Sequence, residues 1–424
     1  MAVSVRTKCS GQTVQVTVEL ELKAGSSMME YEEQIQEGLN HAGCELTRQC
    51  LQQFDTDGSP IVIGGIGFTT KGQIEKEYQS GYGVFRLARH VYQTGWGGAT
   101  FCPMDQDGRV INSTTPKFAR MAAFKYAVLN SSLAQKDLAE NHGRQVSRCY
   151  LQDNAQAVAA IVKEKEQKWS YAERPLPGHV HSVGVGVDGT CVLFCEQGYR
   201  QPMVGTISLY NILGERLHTI YVAAAPEKGK SRFYAKMERE MAQVKARYPW
   251  ATWVGLADGA HDHWSWLERH TDAQGVDFWH TASYVEGAAA AMAPKRANRE
   301  AWVEATAHDL KHRRGAAQRL LHEMNAVQAR GTLRGAARED LHRAISYFQT
   351  HHHRMNYSTF RCQHWPIGSG VTEAACKTVV KERMSGSGMK WTLSGAETVL
   401  QLRPLILTDG RWDQFWQKIS RLGS

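Results

Sequence analysis

From Pro175 to residue 280, apolar segments of strand length first follow one another directly and then alternate with helical stretches, and this order restricts the fold more than any other feature of the chain. Strands are expected near 181–188, 190–195, 203–210, 215–222, 252–257 and 275–280, with a charged helix near 227–247 and another helix after His263. The order fits an α/β sheet in which Asp188 and Asp258 end neighbouring strands. From 281 to about 360 the strand signal stops and Ala, Arg, Glu and Leu dominate, which reads as an all-helical insertion.

Two of these strands close in an acid followed by glycine, Val183-Gly-Val-Gly-Val-Asp188-Gly and Trp253-Val-Gly-Leu-Ala-Asp258-Gly. A third acid, Glu373, lies just inside an expected helix start in Ile367-Gly-Ser-Gly-Val-Thr-Glu373. Taken singly, strand-Asp-Gly is an ordinary turn sequence and a first-turn glutamate is favoured by the helix dipole. Taken together, the acids suggest a magnesium site for phosphodiester chemistry. Magnesium takes oxygen ligands and keeps several waters, so a few convergent carboxylates and a phosphate suffice to hold it. Two such ions assist both the attacking and the leaving oxygen of an in-line displacement. Gly189 and Gly259 would let a backbone or a metal approach closely.

The segment Trp365-Pro-Ile-Gly-Ser-Gly-Val-Thr-Glu373, then Lys381-Glu-Arg-Met-Ser-Gly-Ser-Gly-Met389-Lys-Trp391, then Gly410-Arg-Trp-Asp-Gln-Phe-Trp416, resembles the closing part of bacterial insertion-sequence transposases of the ISKra family. Those belong to the DDE class with a ribonuclease-H-like core. The resemblance runs over roughly residues 83–416 and implies that Asp188, Asp258 and Glu373 are the catalytic, metal-holding acids. Asp277-Phe-Trp-His280 resembles the aspartate-x-x-histidine signature of DDE groups with a helical insertion, which adds Asp277 and His280 to the expected catalytic set. The fold so implied is α/β, a ribonuclease-H-like mixed sheet with an all-helical insertion, preceded by an N-terminal α+β region. The implied activity is magnesium-dependent cleavage and strand transfer at the ends of an element, with manganese able to substitute. The implied partners are double-stranded DNA and further copies of the chain, as a homodimer or larger, in a bacterial cytoplasm at the nucleoid. A domesticated DNA-binding regulator without catalysis and a structure-selective nuclease on the same fold stay open as alternatives.

Composition agrees without deciding. A chain of 424 residues suggests two or three domains, and a formal charge of +8 favours a polyanionic partner. Between Ala293 and Arg343 eleven Lys and Arg stand against six Asp and Glu, so the insertion is a candidate phosphate track. Nine cysteines without a Cys-x-x-Cys pair argue against a disulfide framework. No apolar run is long enough to cross a bilayer, and no signal core opens the chain, so a membrane role is not expected.

Five regions are expected: a strand and long helix over 1–60, a degenerate ribbon over 61–116, a helical DNA-binding region over 117–174, a catalytic domain over 178–280 and 365–424, and the insertion over 281–364. The long helix is expected over Met28 to Phe54, with one face on core or on another subunit. In the resembled family the 61–116 region holds a zinc ribbon, but here Cys102 stands alone where pairs occur, and no zinc is expected. Ser132 to Leu138 followed by His142-Gly143-Arg-Gln-Val-Ser147 resembles a helix-turn-helix, with Arg144, Gln145, Ser147 and Arg148 as groove-facing candidates. A plain helical pair with a glycine turn fits equally well. Lys377, Lys381, Arg383 and Lys390 are expected at phosphates, and Trp391 either on an extruded base or in the core. His351, His352 and His353 are read as a solvated helix end, since adjacent helical residues point apart.

Overall fold

The computed structural model describes residues 3–10, 13–258 and 261–422, and Gly259 therefore lies outside the described residues. The chain divides into two compact units, Met1–Trp169 with Asp413–Ser424, and Ser170–Trp412.

In the first unit β1 (Val3–Ser10) and β2 (Thr13–Leu20) form an antiparallel hairpin, followed by α1 (Met28–Gln52). Ser27 and Glu30 start that helix with a reciprocal capping box, each side chain taking the other's backbone N–H. Then β3 (Ile61–Ile63), β4 (Ile66–Gln79), β5 (Val84–Thr94) and β6 (Gly97–Phe101) pair in sequence order as an antiparallel sheet. Tyr78, Phe85 and Leu87 of this sheet pack with Leu51 and Met104, the latter on the short α2 (Pro103–Asp107). Three helices complete the unit's main run: α3 (Pro116–Val128), α4 (Ser131–His142) and α5 (Arg148–Lys165).

The second unit is mixed α/β. Its strands are β7 (Ser182–Gly189), β8 (Val192–Phe194), β9 (Gly198–Arg200), β10 (Met203–Tyr210), β11 (Arg216–Ala224), β12 (Thr252–Ala257) and β13 (Ala273–Val276), with α6 (Ser231–Arg247) and α7 (His261–His270) interleaved. The main sheet runs β11-β10-β7-β12-β13; β10 lies antiparallel to both β11 and β7, and β12 lies parallel to both β7 and β13. The strand expected near 190–195 does not join it. Residues Val192–Phe194 pair instead with Gly198–Arg200 as a separate hairpin. The strand expected near 275–280 ends at Val276, because Asp277 caps the next helix, α8 (Phe278–Met292), by accepting the His280 N–H.

Residues 182–187 of β7 are buried, as suits a strand covered on both faces. Val183, Val185 and Val187 join the main core with Phe233, Met237 and Met241 of α6. The remaining helices are α9 (Arg299–His312), α10 (Ala316–Ala329), α11 (Gly335–His351), α12 (Tyr357–Cys362), α13 (Gly370–Ala375), α14 (Glu382–Met384), α15 (Leu393–Leu407) and α16 (Arg411–Ser420). A π-helical turn, Cys376–Lys381, joins α13 to α14. Thr372 of α13 reaches the sheet because β7 carries no side chain at Gly186. A Cβ there would run into Thr372 Oγ1 and come within 3.1 Å of Thr206 Oγ1, and the two threonine hydroxyls are 2.7 Å apart.

Candidate metal centre

The acids of β7, β12 and β13 are brought to one level by strand register. Leu256 pairs with Gly186, and Asp258 and Asp188 each stand two residues further on. Val276 pairs with Ala257, and Asp277 and Asp258 each follow directly. Adjacent strands lie roughly 4.8 Å apart, so three acids occupy consecutive positions along the carboxyl edge of the parallel half of the sheet. Glu373 comes from α13, the helix seated over Gly186 of the same strand that ends in Asp188.

Asp277, His280 and Glu373 each offer a ligand atom, and these atoms lie within 4.8 Å of one another. Asp277 is fully buried and its oxygens are already committed. Oδ1 accepts the His280 N–H at 2.7 Å, and Oδ2 accepts the Ser369 backbone N–H at 2.5 Å and the Ser369 hydroxyl at 2.9 Å. This carboxylate thus ties the start of α8, which carries His280, to the start of α13, which carries Glu373. Ser369 Oγ also lies 3.0 Å from Glu373 Oε1, and His280 Nε2 is 3.3 Å from the same oxygen. Glu373 Oε1 is held in this way, while Oε2 takes no protein donor among the described residues. The His280 and Glu373 side chains are about half exposed, at 47% and 49%.

Asp188 belongs to the same neighbourhood through Cys376, one helical turn beyond Glu373. Its Oδ2 accepts from Cys376 Sγ at 3.3 Å and its Oδ1 from the Gly189 N–H at 2.6 Å. Burial pushes the Cys376 thiol well above its usual range, and the charges of Asp188 and Glu373 push it further, so it remains a neutral donor. The Tyr347 hydroxyl is raised mainly by burial, with the charges of Tyr284, Asp277 and Asp258 adding to it. The described residues bring Asp277, His280 and Glu373 into one ligand-sized group, and Asp188 and Asp258 stand beside that group without being part of it.

The donor set is rich in oxygen, half solvated and short of thiolates, which suits magnesium or manganese better than zinc. Of the three expected ligands, Asp188, Asp258 and Glu373, the group contains Glu373. Asp277 stands in the group, and both of its oxygens also accept from donors that tie α8 to α13. Cys376 and Ser369 were not singled out from the sequence, although Ser369 precedes a helix start and Cys376 stands three positions after Glu373, on the same helical side.

The π turn that follows has its own support. Buried Arg403 of α15 donates to the carbonyls of Thr378 and Val379, the latter at 2.8 Å. Such turns recur at functional positions in helices.

Several expected DNA contacts are placed differently. Arg144 is buried rather than groove-facing: Nε donates to the Ser80 carbonyl at 2.9 Å, Nη2 to Gln79 Oε1 at 2.6 Å, and the guanidinium lies 5.1 Å from the Phe118 ring centroid. Gln145, Ser147 and Arg148 are exposed, with Ser147 capping α5 at Tyr150. Trp391 is buried rather than free to stack on a base. Its indole donates to the Met384 carbonyl at 3.0 Å, its backbone pairs with Leu193 and Cys195, and buried Arg383 lies 4.9 Å over its ring. Lys377, Lys381 and Lys390 are exposed. No family model and no curated protein matches the chain.

Proposed function

We propose that this chain is a metal-dependent DNA-cutting and strand-joining enzyme, a DDE transposase of the insertion-sequence type that its glutamate segment resembles, built on a ribonuclease-H-like sheet. The observation that carries the reading is the placement of acids: Asp188 and Asp258 follow in register at the ends of neighbouring parallel strands, and Glu373 sits on a helix packed over Gly186 of one of them. The strand order β11-β10-β7-β12-β13, antiparallel on one side and parallel on the other, supports that reading.

In this reading Asp188, Asp258 and Glu373 hold magnesium, with manganese as a substitute. When bound, the ions supply positive charge to the attacked phosphate and the leaving oxygen. Ser369, itself bonded to Asp277, holds Glu373 Oε1, and Oε2 is the oxygen that would be available to a metal. His280, oriented by Glu373 and open to solvent, is placed to contact the scissile phosphate. Water opens the phosphodiester at an element end, and the freed 3′-hydroxyl attacks target DNA, with no covalent protein intermediate. The helices α4 and α5, joined through Gly143 at φ +58°, serve as a helix-turn-helix through the exposed Gln145, Ser147 and Arg148. Paired element ends call for a dimer or larger assembly.

The test is a nicking assay in magnesium with Asp188→Asn, Asp258→Asn and Glu373→Gln, alongside a gel shift. Each variant is expected to lose cleavage by about a hundredfold or more while still binding DNA. Full cleavage by any of them sinks the assignment, and specific binding without scission by the wild-type chain favours a regulator instead.

A further inference from the structure

Beside the carboxylates an aromatic ring is left uncovered. Trp279, between buried Phe278 and His280 at the start of α8, is 64% exposed. Its ring lies against Gly368, where a Cβ would stand 3.3 Å from Trp279 Cδ1 and 3.2 Å from Asp277 Oδ2. The missing side chain at 368 is what lets the indole sit next to the anchoring carboxylate.

Cations gather at the same place. Lys311 Nζ of α9 is 5.1 Å from the Trp279 ring centroid and 4.5 Å from that of Phe278. Asp309 of the same helix is committed to Arg313 at 3.1 Å and His308 at 3.8 Å. Lys311 and Arg361 make no ion pair among the described residues. α12, which carries the exposed Arg361, packs against α9, which carries Lys311 and the exposed His312, and the His312 imidazole has its pKa lowered by desolvation and then by the charges of Arg361, His308 and Lys311. A cationic patch alone would suit any polyanion, including an acidic peptide. An uncovered indole within it asks for a flat partner, and an unpaired nucleotide strand supplies a phosphate and an open base face at every step, whereas a duplex hides its base faces in the stack.

We propose that Trp279, Lys311, His312 and Arg361 form a stacking and phosphate-binding track that holds an unpaired nucleotide strand at the mouth of the carboxylate cluster. The inference rests on the reading of that cluster as a polynucleotide-cutting site and names the form of substrate it receives.

The experiment measures fluorescence anisotropy of a labelled single-stranded DNA oligonucleotide, the matching RNA and the matching duplex on the full chain without divalent metal, where no cutting intervenes. A parallel series carries 2-aminopurine to report stacking. Trp279→Ala is expected to weaken single-strand binding about tenfold and to abolish the 2-aminopurine change, with Trp279→Phe retaining most of both. Lys311→Gln and Arg361→Gln are expected to weaken binding and each to lower the salt dependence by about one phosphate contact. A stronger DNA than RNA arm, or the reverse, identifies the strand within the proposal. Unchanged single-strand binding by Trp279→Ala, or a loss of duplex binding in that variant as large as its loss of single-strand binding, overturns it. A wild-type chain that binds the strand through Trp279 but never cuts in magnesium would remove the enzymatic reading alone, and one that cuts while Trp279→Ala binds normally would remove the track alone.

Discussion

Two segments of this chain carry basic or acidic residues near a glycine at a helix end, Gly143 closing α4 and Gly370 opening α13, and they use them in opposite ways. In the segment from α4 to α5 one of the two arginine candidates, Arg144, gives Nε to Ser80 and Nη2 to Gln79 and lays its flat face near Phe118. In the segment around α13, Glu373 has one oxygen held by Ser369 and His280 and the other left open. The difference teaches that a motif's charge is not its function: what counts is how many of a group's hydrogen-bonding positions the protein itself fills. By that measure Arg144 is tied into the protein, while Glu373 keeps an oxygen open.

The sharpest way to break this division is Asp277→Ala. The substitution leaves the His280 and Ser369 N–H groups without their shared acceptor in a fully buried place, and charge-assisted hydrogen bonds of this kind contribute about 1.5–3 kcal/mol each. A loss of about 4 kcal/mol in urea denaturation of the whole chain is expected. A loss below about 1 kcal/mol would mean that Asp277 is no staple. Next in size is Gly186→Ala, whose new methyl must displace Thr372, at a cost of about 2–3 kcal/mol. Pairing it with Thr372→Ala should recover part of that loss, since the second change empties the space the first one needs. Strict additivity of the two would show that α13 does not rest on Gly186.

Arg144→Ala should cost about 2 kcal/mol of stability and leave DNA affinity nearly unchanged, while Arg148→Ala should do the reverse. If Arg144→Ala weakens DNA binding without touching stability, the contrast between the two segments fails.

How far the fold could be read from the chain follows from the range of the interactions involved. The strands ending at Asp188 and Asp258 were legible because their apolar runs and terminal Asp-Gly are local. The start of α8 was not: Val276, Phe278 and Trp279 prolong an apolar run, and only the hydrogen bond from the His280 N–H to Asp277 turns it into a helix. Residues 190–195 carry a strand pattern, yet Val192–Phe194 find their partner in the nearby Gly198–Arg200 and in Trp391 instead of in the main sheet. Arg144 read as groove-facing and Trp391 stayed open between a base and the core because their partners, Ser80 and Leu193, lie far away in sequence. Glu373 could be read from its motif, whereas Ser369 gains meaning only once Asp277, from another strand end, stands within hydrogen-bond reach.

The smallest effect expected separates the same two regions by pH. His142, at the end of α4, has its imidazole pKa lowered first by burial and then by Lys125, with Asp137 opposing; His218 of β11 is lowered first by burial and then by Arg411, with Asp409 opposing. A histidine whose folded pKa is depressed binds fewer protons in the native state than in the unfolded chain as pH falls through its ordinary value near 6.5. Stability is therefore lost on acidification from about pH 7 to 5, and no such loss arises above that window. His218→Gln should flatten this part of the profile in the unit holding the sheet, and His142→Gln should do so in the unit holding α4, each with little change at pH 8. If both variants keep the full acid slope, the loss belongs to other groups. If only one flattens it, the burial that lowers these imidazoles differs between the two regions, and the contrast drawn from Arg144 and Glu373 extends to the way each unit tolerates charge in its interior.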